Sequence, residues 1–209
     1  MAPLAKVIPL YGPKSSGGLE LTVTLRGIKP AIWRRLRLAG SLTLRELHHV
    51  LQISFGWDDT HTHEFHIGDA RYGMGFPGMS ELEAIPDERE FKLGPLLRGV
   101  TSFEYVYDMG DDWIHELAVK QVPLTARAAK AECLDGDRAA PLEDCGGPLG
   151  YMDLLKAITK PGSKRGRELL EWAGDFDPAE LDLAAINRDL RTAGTKAFLR
   201  KRERLYEGL

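Results

Sequence analysis

Histidines and aspartates gather in two stretches of the chain, and they are the residues best suited to chemistry. Five of the six histidines lie between His48 and His66, and the sixth is His115. Imidazole nitrogens and carboxylate oxygens are the ligands that zinc and related divalent metals bind in proteins. The composition of these stretches therefore suggests a metal centre, and the surrounding strands determine which side chains can meet.

Strand parity places three of the histidines toward the core. Alternate residues of a strand share a face, so His61 and His63 lie with Phe65, and His115 lies with Trp113. A buried imidazole needs a hydrogen-bond partner or a metal. The predicted metal set joins these histidines to two aspartates of a nearby turn, and its ion would be a divalent metal such as zinc. The set is His61, His63, His115, Asp108 and Asp112.

The same residues also admit a simpler interpretation. Imidazoles hydrogen-bonded to the carboxylates of a turn would brace the sheet without any metal, and a metal-free acid–base role is a further alternative. Gly110 and Asp111 are favoured in hairpin loops for backbone reasons alone.

A basic segment upstream forms a second candidate site. No acidic residue occurs between Leu21 and Arg45, and a strand there would carry Trp33, Arg35 and Arg37 on one face. An arginine–aromatic face suits phosphates and unstacked bases, although it equally suits ion pairs with acidic residues elsewhere in the chain. The predicted binding residues of this segment are Trp33, Arg34, Arg35 and Arg37.

An acidic loop between the two cysteines is the third candidate. Cys133 and Cys145 lack the close spacing of thiolate metal ligands. Glu143 and Asp144, with Cys145, precede two glycines, where the backbone can approach a ligand closely. The alternative is a compact loop with two small buried thiols.

Hydrophobic periodicity predicts the elements that position these residues. Residues 19–28 and 32–38 alternate as a hairpin, and Thr43 with Glu46 forms the capping box of a helix that ends at Gly56. Residues 61–67 form another strand, and 103–108 with 113–122 form a second hairpin. The order predicts an α+β fold with a mixed sheet of about five strands and one packed helix, in a β-grasp-like ββα arrangement.

The remainder of the chain divides by composition. Residues 1–18 are a predicted flexible leader, and 19–209 form one α+β domain with a sheet-rich part (19–122) and a loop and helical part (123–209). The stretch 68–99 is a predicted loop. Predicted helices cover about 151–159 and 165–173, begin again at Pro178, and end with 195–207.

Bulk properties exclude several classes of protein. No run of about 18 apolar residues could span a membrane, and the first 18 residues lack the apolar region of a secretory signal. The net charge of −3 gives no global attraction to nucleic acid or anionic lipid, so such contacts require a local patch. We expect a cytoplasmic protein without a membrane partner.

Several short motifs together resemble the Ri-plasmid ORF-three-like family. The matching segments are LRGIKPAIWRR (25–35), FGWD (55–58), HTHEF (61–65), YDMGDDWIH (107–115), EDCGGPLGY (143–151) and FDP (176–178). Met109 replaces a usual phenylalanine, and Ala140 stands where the family often has a cysteine, which weakens a thiolate-rich metal site.

The resemblance implies a cytoplasmic α+β protein associated with plasmids and mobile elements. Some members carry a resolvase-like label. This sequence does not support it, because it shows neither the activated serine of a serine recombinase nor the tyrosine with arginine and histidine partners of a tyrosine recombinase. Two functions remain in view. The first is a binding module that contacts nucleic acid or a protein of a mobile element through the Trp33 face. The alternative is a metal-dependent hydrolase, for example of phosphoesters, whose His/Asp cluster holds a metal that activates water.

Overall fold

One antiparallel sheet of seven strands organises the chain. The computed structural model describes residues 17–74, 85–124, 128–160 and 162–193. The strands are β1 Gly18–Leu25, β2 Trp33–Ala39, β3 His63–Ile67, β4 Ala70–Gly73, β5 Ser102–Tyr107, β6 Trp113–Val122 and β7 Ala131–Asp137. Their order across the sheet is β4-β3-β5-β6-β1-β2-β7.

Five α-helices and one short 3-10 helix complete the described part of the chain. The α-helices are α1 Leu44–Phe55, α2 Leu93–Leu96, α3 Gly147–Thr159, α4 Lys164–Ala173 and α5 Leu183–Ala193, and the 3-10 helix is Glu88–Glu90. None of the helices in the described ranges is long and apolar enough to cross a membrane.

The predicted β-grasp-like mixed sheet of about five strands is wrong. The five predicted strands are the central five, but all strand pairs are antiparallel and each edge carries one more strand. At one edge, β4 has four residues, too few to show alternation. At the other, β7 has the acidic sequence AECLDGD, and its register against β2 shifts between Arg35 and Leu36. For these reasons the sequence pattern predicted loops, not strands, at both edges of the sheet.

The two faces of the sheet differ in chemistry. The inner face is apolar at positions such as Leu21, Leu36 and Leu117, and the buried side of α1 belongs to the same core. The outer face is polar, as expected for an antiparallel sheet with one solvated side. Polar residues also lie on the inner face, at buried positions contributed by β2, β3, β5 and β6: Arg34, His63, Tyr105 and His115. Of these residues, His63 and Tyr105 contact His48 of the buried cluster described below.

Helix α1 leads into the loop that contributes residues to the candidate site. The predicted capping box is confirmed, because the Thr43 hydroxyl accepts from the Glu46 amide and the Glu46 carboxylate accepts from the Thr43 amide. Gly56 ends the helix in the left-handed conformation. The following loop, residues 57–62, runs directly into β3.

The predicted loop and helical C-terminal part also contributes strand β7 to the sheet, which corrects that prediction, and three helices follow the strand with shifted boundaries. Helices α3 and α4 confirm the predictions at 151–159 and 165–173. The helix predicted from Pro178 begins at Leu183, because Asp177 accepts from the Ala179 amide in a turn that does not propagate. The stretch predicted as a loop at 68–99 contains β4, the 3-10 helix and α2. The predicted leader lies outside the described residues except for its end, where Gly18 begins β1, and the predicted helix 195–207 lies outside them altogether.

Candidate metal-binding clusters

Residues 57–62 contribute to two separate groups of potential metal ligands. The Trp57 indole donates to the Pro141 carbonyl at 2.8 Å and fixes the start of the loop. Asp59 then turns into the core with φ 63°, a left-handed conformation that aspartate tolerates better than most residues. His61 belongs to the other group. The same loop therefore contributes one residue to each of the two groups.

The open cluster consists of His61, Asp108 and Asp144. Each offers one ligand atom, and these atoms all lie within 4.8 Å of one another. His61 Nδ1 is 3.6 Å from an Asp108 oxygen, and Nε2 is 3.2 Å from an Asp144 oxygen. The side chains of His61, Asp108 and Asp144 are 29%, 12% and 74% exposed, so the cluster reaches solvent mainly at Asp144.

A tight turn holds Asp108 in place. Its Oδ1 accepts from the amides of Gly110 and Asp111 at 2.9 and 3.2 Å, and its own backbone has φ 57°. The Asp108 amide donates to the Thr62 carbonyl at 2.9 Å, which ties the turn to the His61 loop. Because the backbone amides occupy Oδ1, Oδ2 is the oxygen that remains directed toward His61.

Glu143 anchors the segment that carries Asp144. Its carboxylate accepts from the Tyr107 hydroxyl and from the Asp58 amide, the latter at 2.8 Å. Burial, and then the neighbouring Glu143, raise the pKa of Tyr107 above its usual range, so the phenol keeps its proton and donates it. Glu143 therefore positions Asp144 beside His61, and its own oxygens are occupied by these donors.

Cys145 lies next to the open cluster, but its sulfur is not among the potential ligand atoms grouped there. Burial, with the nearby carboxylates of Asp111 and Asp144, raises the pKa of its thiol to about 12. Of the predicted loop residues, Asp144 belongs to the open cluster and Glu143 supports it, while Cys145 is not part of it.

The buried cluster consists of His48, His49 and Asp59, which also offer ligand atoms within 4.8 Å of one another. His48 Nε2 lies 2.6 Å from Asp59 Oδ1, and His49 Nδ1 lies 3.8 Å from Asp59 Oδ2. All three are buried, with at most 4% of each residue exposed. The other nitrogen of His48 is 2.7 Å from the Tyr105 hydroxyl, to which Gln52 also donates at 3.1 Å.

His63 belongs to the surroundings of the buried cluster. Its ring stacks on that of His48, with centroids 3.6 Å apart and planes within 6°. Its Nε2 is 2.7 Å from Glu88, whose other oxygen is 3.2 Å from the Arg45 guanidinium. The predicted ligand His63 is therefore engaged with a buried carboxylate and is separate from His61.

His115 lies apart from both clusters. Its ring meets those of Phe55 and Trp57 edge to face at 4.8 and 5.2 Å, and its Nδ1 donates to the Trp113 carbonyl at 3.1 Å. Burial lowers its pKa to about 4, so it is neutral at physiological pH.

The structure thus divides the predicted metal set. It brings together His61 and Asp108 and adds Asp144. Among the described residues, neither group of metal-capable side chains includes His63, His115 or Asp112. Asp112 has a structural place, since its amide donates to the Asp108 carbonyl at 2.7 Å.

Sequence reasoning missed His48, His49, Asp59 and Glu88. A signal existed for His48, which follows Leu44 by four residues and thus lies on the apolar stripe of α1, where an imidazole requires a polar partner. No pattern marked Glu88, which lies in a 3-10 helix inside the predicted loop.

The predicted arginine face separates into two sets. Trp33, Arg35 and Arg37 are partly exposed on one face of β2, and the two arginines pair with Asp135 and Glu132 of β7 at 3.1 and 3.5 Å. These are surface ion pairs of modest strength.

Arg34 points the opposite way and is only 2% exposed. It donates to the carbonyls of Ser54 and Asp137 and lies 5.1 Å from the centre of the Phe55 ring. Burial lowers its pKa to about 10, so it remains charged at neutral pH. Its role is to hold the end of α1 against the sheet.

Comparison with known proteins places this architecture in a family. The family model of plasmid pRiA4b ORF-3-like proteins matches residues 18–185, a range that contains both clusters. A relative from Sinorhizobium fredii (strain NBRC 101917 / NGR234), described as uncharacterized protein y4hQ, is 32% identical over 174 residues, which cover 81% of this chain and 89% of that protein. The crystal structure of MM3350, a protein of unknown function from Methanosarcina mazei Go1, matches with a TM-score of 0.73 at 27% identity, covering 83% of this chain and 98% of that one. Because the family model spans most of the sequence, the chain belongs to the plasmid pRiA4b ORF-3-like family.

Proposed function

We propose that the protein is a metal-dependent hydrolase whose divalent ion is bound by the open cluster. The observation that carries this proposal is the convergence of His61, Asp108 and Asp144 within 4.8 Å at a site open to solvent. Catalytic metal sites typically use three protein ligands and leave a position for water or substrate.

The donor set suits a divalent ion. Two carboxylates offset its charge, and the mixture of one imidazole with two carboxylates is compatible with zinc or manganese. Such an ion lowers the pKa of its bound water toward 7 and polarises a carbonyl or phosphoryl oxygen. The substrate class is therefore an ester or phosphoester.

The residues of the open cluster would have different roles in binding such an ion. Asp108 is rigid because backbone amides fix its Oδ1, so it would serve as the fixed ligand. Asp144 is the most exposed member and is kept near His61 by the Glu143 contacts to Tyr107 and Asp58. Side chains held in this way need little reorganisation on binding.

Metal titration and hydrolysis assays test the proposal together. Chelator-treated protein is titrated with zinc or manganese by calorimetry, and the loaded protein is assayed on p-nitrophenyl phosphate and p-nitrophenyl acetate. Asp144→Asn should lower metal affinity by about 100-fold or more, since even the loss of a residue that only supports a ligand lowers it 10- to 100-fold. Hydrolysis should fall in parallel. The control is Asp153→Asn, an exposed carboxylate on α3 paired with Lys156.

Absence of metal uptake at millimolar concentration would refute the metal site. Uptake that depends on Asp144 but supports no hydrolysis of either substrate would refute the enzyme while leaving a metal-binding module.

A second candidate function is binding of nucleic acid through Trp33, Arg35 and Arg37. It is favoured by the position of the three residues on one partly exposed face of β2, and opposed by the ion pairs that engage both arginines. Such a face would meet the nucleic acid, or a protein, of a mobile element.

Fluorescence anisotropy with a labelled single-stranded oligonucleotide at 50 mM salt measures this binding. Arg35→Ala/Arg37→Ala should weaken it and reduce its salt dependence. Arg71→Ala, on edge strand β4, is the control. Equal affinity of the double variant and the wild type would exclude this face.

A further inference from the structure

The buried cluster is independent of the function proposed for the open cluster. We propose that His48, His49 and Asp59 form a second metal site, which binds a zinc-like divalent ion inside the core and stabilises the fold. It differs from the open cluster in burial, in having two imidazoles, and in its contacts with Tyr105.

The distances fit an ion between the three side chains. Tetrahedral zinc with bonds of about 2.0–2.1 Å separates its ligand atoms by about 3.3 Å. The two relevant separations, 2.6 Å between His48 and Asp59 and 3.8 Å between His49 and Asp59, lie on either side of that value. Changes of about 0.5–0.7 Å in these two separations would therefore seat the ion, with water at its fourth position.

The use of two consecutive helical residues has a simple geometric reason. Neighbours along a helix do not point the same way. His48 reaches Asp59 with its distal nitrogen Nε2, whereas His49 turns its proximal nitrogen Nδ1 toward the other carboxylate oxygen. Asp59 thereby bridges the angle between the two rings.

Burial of the Asp59 carboxylate favours a positive charge beside it. The Asp59 side chain is 1% exposed, and an ionised carboxylate removed from water is stabilised by an adjacent cation. A divalent ion held by Asp59 and the two imidazoles would be such a cation.

The residues behind His48 form the kind of support that metal-bound imidazoles require. With Nε2 on a metal, Nδ1 carries the proton and donates to the Tyr105 oxygen, 2.7 Å away. The Tyr105 hydroxyl, which then accepts from His48, carries a proton of its own that needs an acceptor.

Gln52 can provide that acceptor. Its Oε1 is buried and has no hydrogen-bond partner among the described residues, while its Nε2 donates to Tyr105. A flip of the amide would point Oε1 at the Tyr105 hydroxyl and accept its proton. Metal binding at His48 is therefore compatible with this hydrogen-bond chain.

Burial also predicts how the two sites exchange metal. An ion at the open cluster can leave directly into solvent. An ion at the buried cluster must wait for the protein to open locally, so it should be acquired during folding and resist chelators. Because it binds only the folded state, it should also raise the melting temperature.

The test uses protein in which the open cluster is disabled by Asp144→Asn. This variant is expressed with zinc, dialysed against EDTA and analysed for metal content. We expect one zinc ion per chain to be retained, together with a higher melting temperature than that of protein refolded without metal. Adding His49→Gln should abolish both effects, whereas adding His66→Gln, at a half-exposed histidine on β3, should abolish neither.

Two results would overturn the proposal: protein with Asp144→Asn that retains no zinc, or unchanged zinc content after His49→Gln. If His49→Gln does not fold, the wild-type protein decides the question. A zinc-edge anomalous peak among His48, His49 and Asp59 supports the site, and its absence from zinc-grown crystals refutes it. If Asp144→Asn loses hydrolysis but retains zinc, the two sites bind metal independently.

Discussion

The imidazoles of this protein illustrate how surroundings divide one residue type into different roles. His48 and His63 are buried against carboxylates, and His61 lies half exposed between two aspartates. In the described part of the chain, His115 contacts aromatic rings and backbone carbonyls. The first three can bind a cation, whereas His115 is suited only to remain neutral.

His115 should make the protein sensitive to acid. Burial lowers its folded-state pKa from 6.5 to about 4, so the unfolded chain is protonated first as the pH falls. The stability that it contributes is fully present above about pH 6.5 and is lost as the pH falls toward 4. His115→Phe should therefore reduce the loss of unfolding free energy between pH 7 and pH 5 by about 2 kcal/mol.

Urea unfolding at both pH values measures this difference. The control variant is His66→Gln, which should keep the acid-dependent loss of the wild type. An unchanged difference in His115→Phe would mean that His115 is not the group responsible.

At the scale of elements, the candidate open cluster depends on how closely α3 approaches the turn between β5 and β6. The Gly146 amide donates to Asp111 at 3.2 Å. Gly147 has φ 66°, and a Cβ there would lie 2.5 Å from the Asp111 carbonyl oxygen. This contact keeps the segment containing Asp144 next to the turn containing Asp108.

Gly147→Ala should disrupt that contact. Strain at positive φ costs of order 1–3 kcal/mol, and the contact with backbone adds to it. Gly146→Ala is the matched control, because its φ of 88° carries similar strain while its nearest contact, at 3.7 Å, is ordinary. Gly147→Ala should therefore lose more unfolding free energy and more metal affinity than Gly146→Ala. Equal losses would show that the close approach is unimportant.

Elements with strong local patterns could be predicted from the sequence, and elements defined by tertiary contacts could not. The capping box of α1 and the central strands follow from side-chain spacing. Strand β7 is set by pairing with β2, and its charged residues hide the alternation. The same distinction applies to the candidate site. His61 and Asp108 flank recognisable strands, whereas the contact between His63 and Glu88 joins β3 to a 3-10 helix 25 residues away.

At the scale of the whole molecule, the sheet must protect both of its edges. Unpaired backbone groups at an edge invite association with other chains. At the β4 edge, the Gly73 amide donates to the Pro86 carbonyl. At the β7 edge, the Asn187 side chain accepts from the Cys133 amide at 2.9 Å and donates to the Cys133 carbonyl at 2.8 Å. Asn187 therefore acts as a strand partner and fastens α5 to the sheet.

Asn187→Ala should loosen this attachment between the helical and sheet-rich parts. It removes both hydrogen bonds to Cys133 and leaves half-buried backbone groups without partners, which should lower the unfolding free energy by about 1–3 kcal/mol. Hydrogen exchange should accelerate in β7 and α5 but not in the central strands β1 and β6, because those pair on both sides within the sheet. Arg188→Ala, at the exposed neighbouring position, should leave exchange as in the wild type. Unchanged exchange of β7 in Asn187→Ala would show that apolar packing of α5, through residues such as Leu190, holds the two parts together without the asparagine.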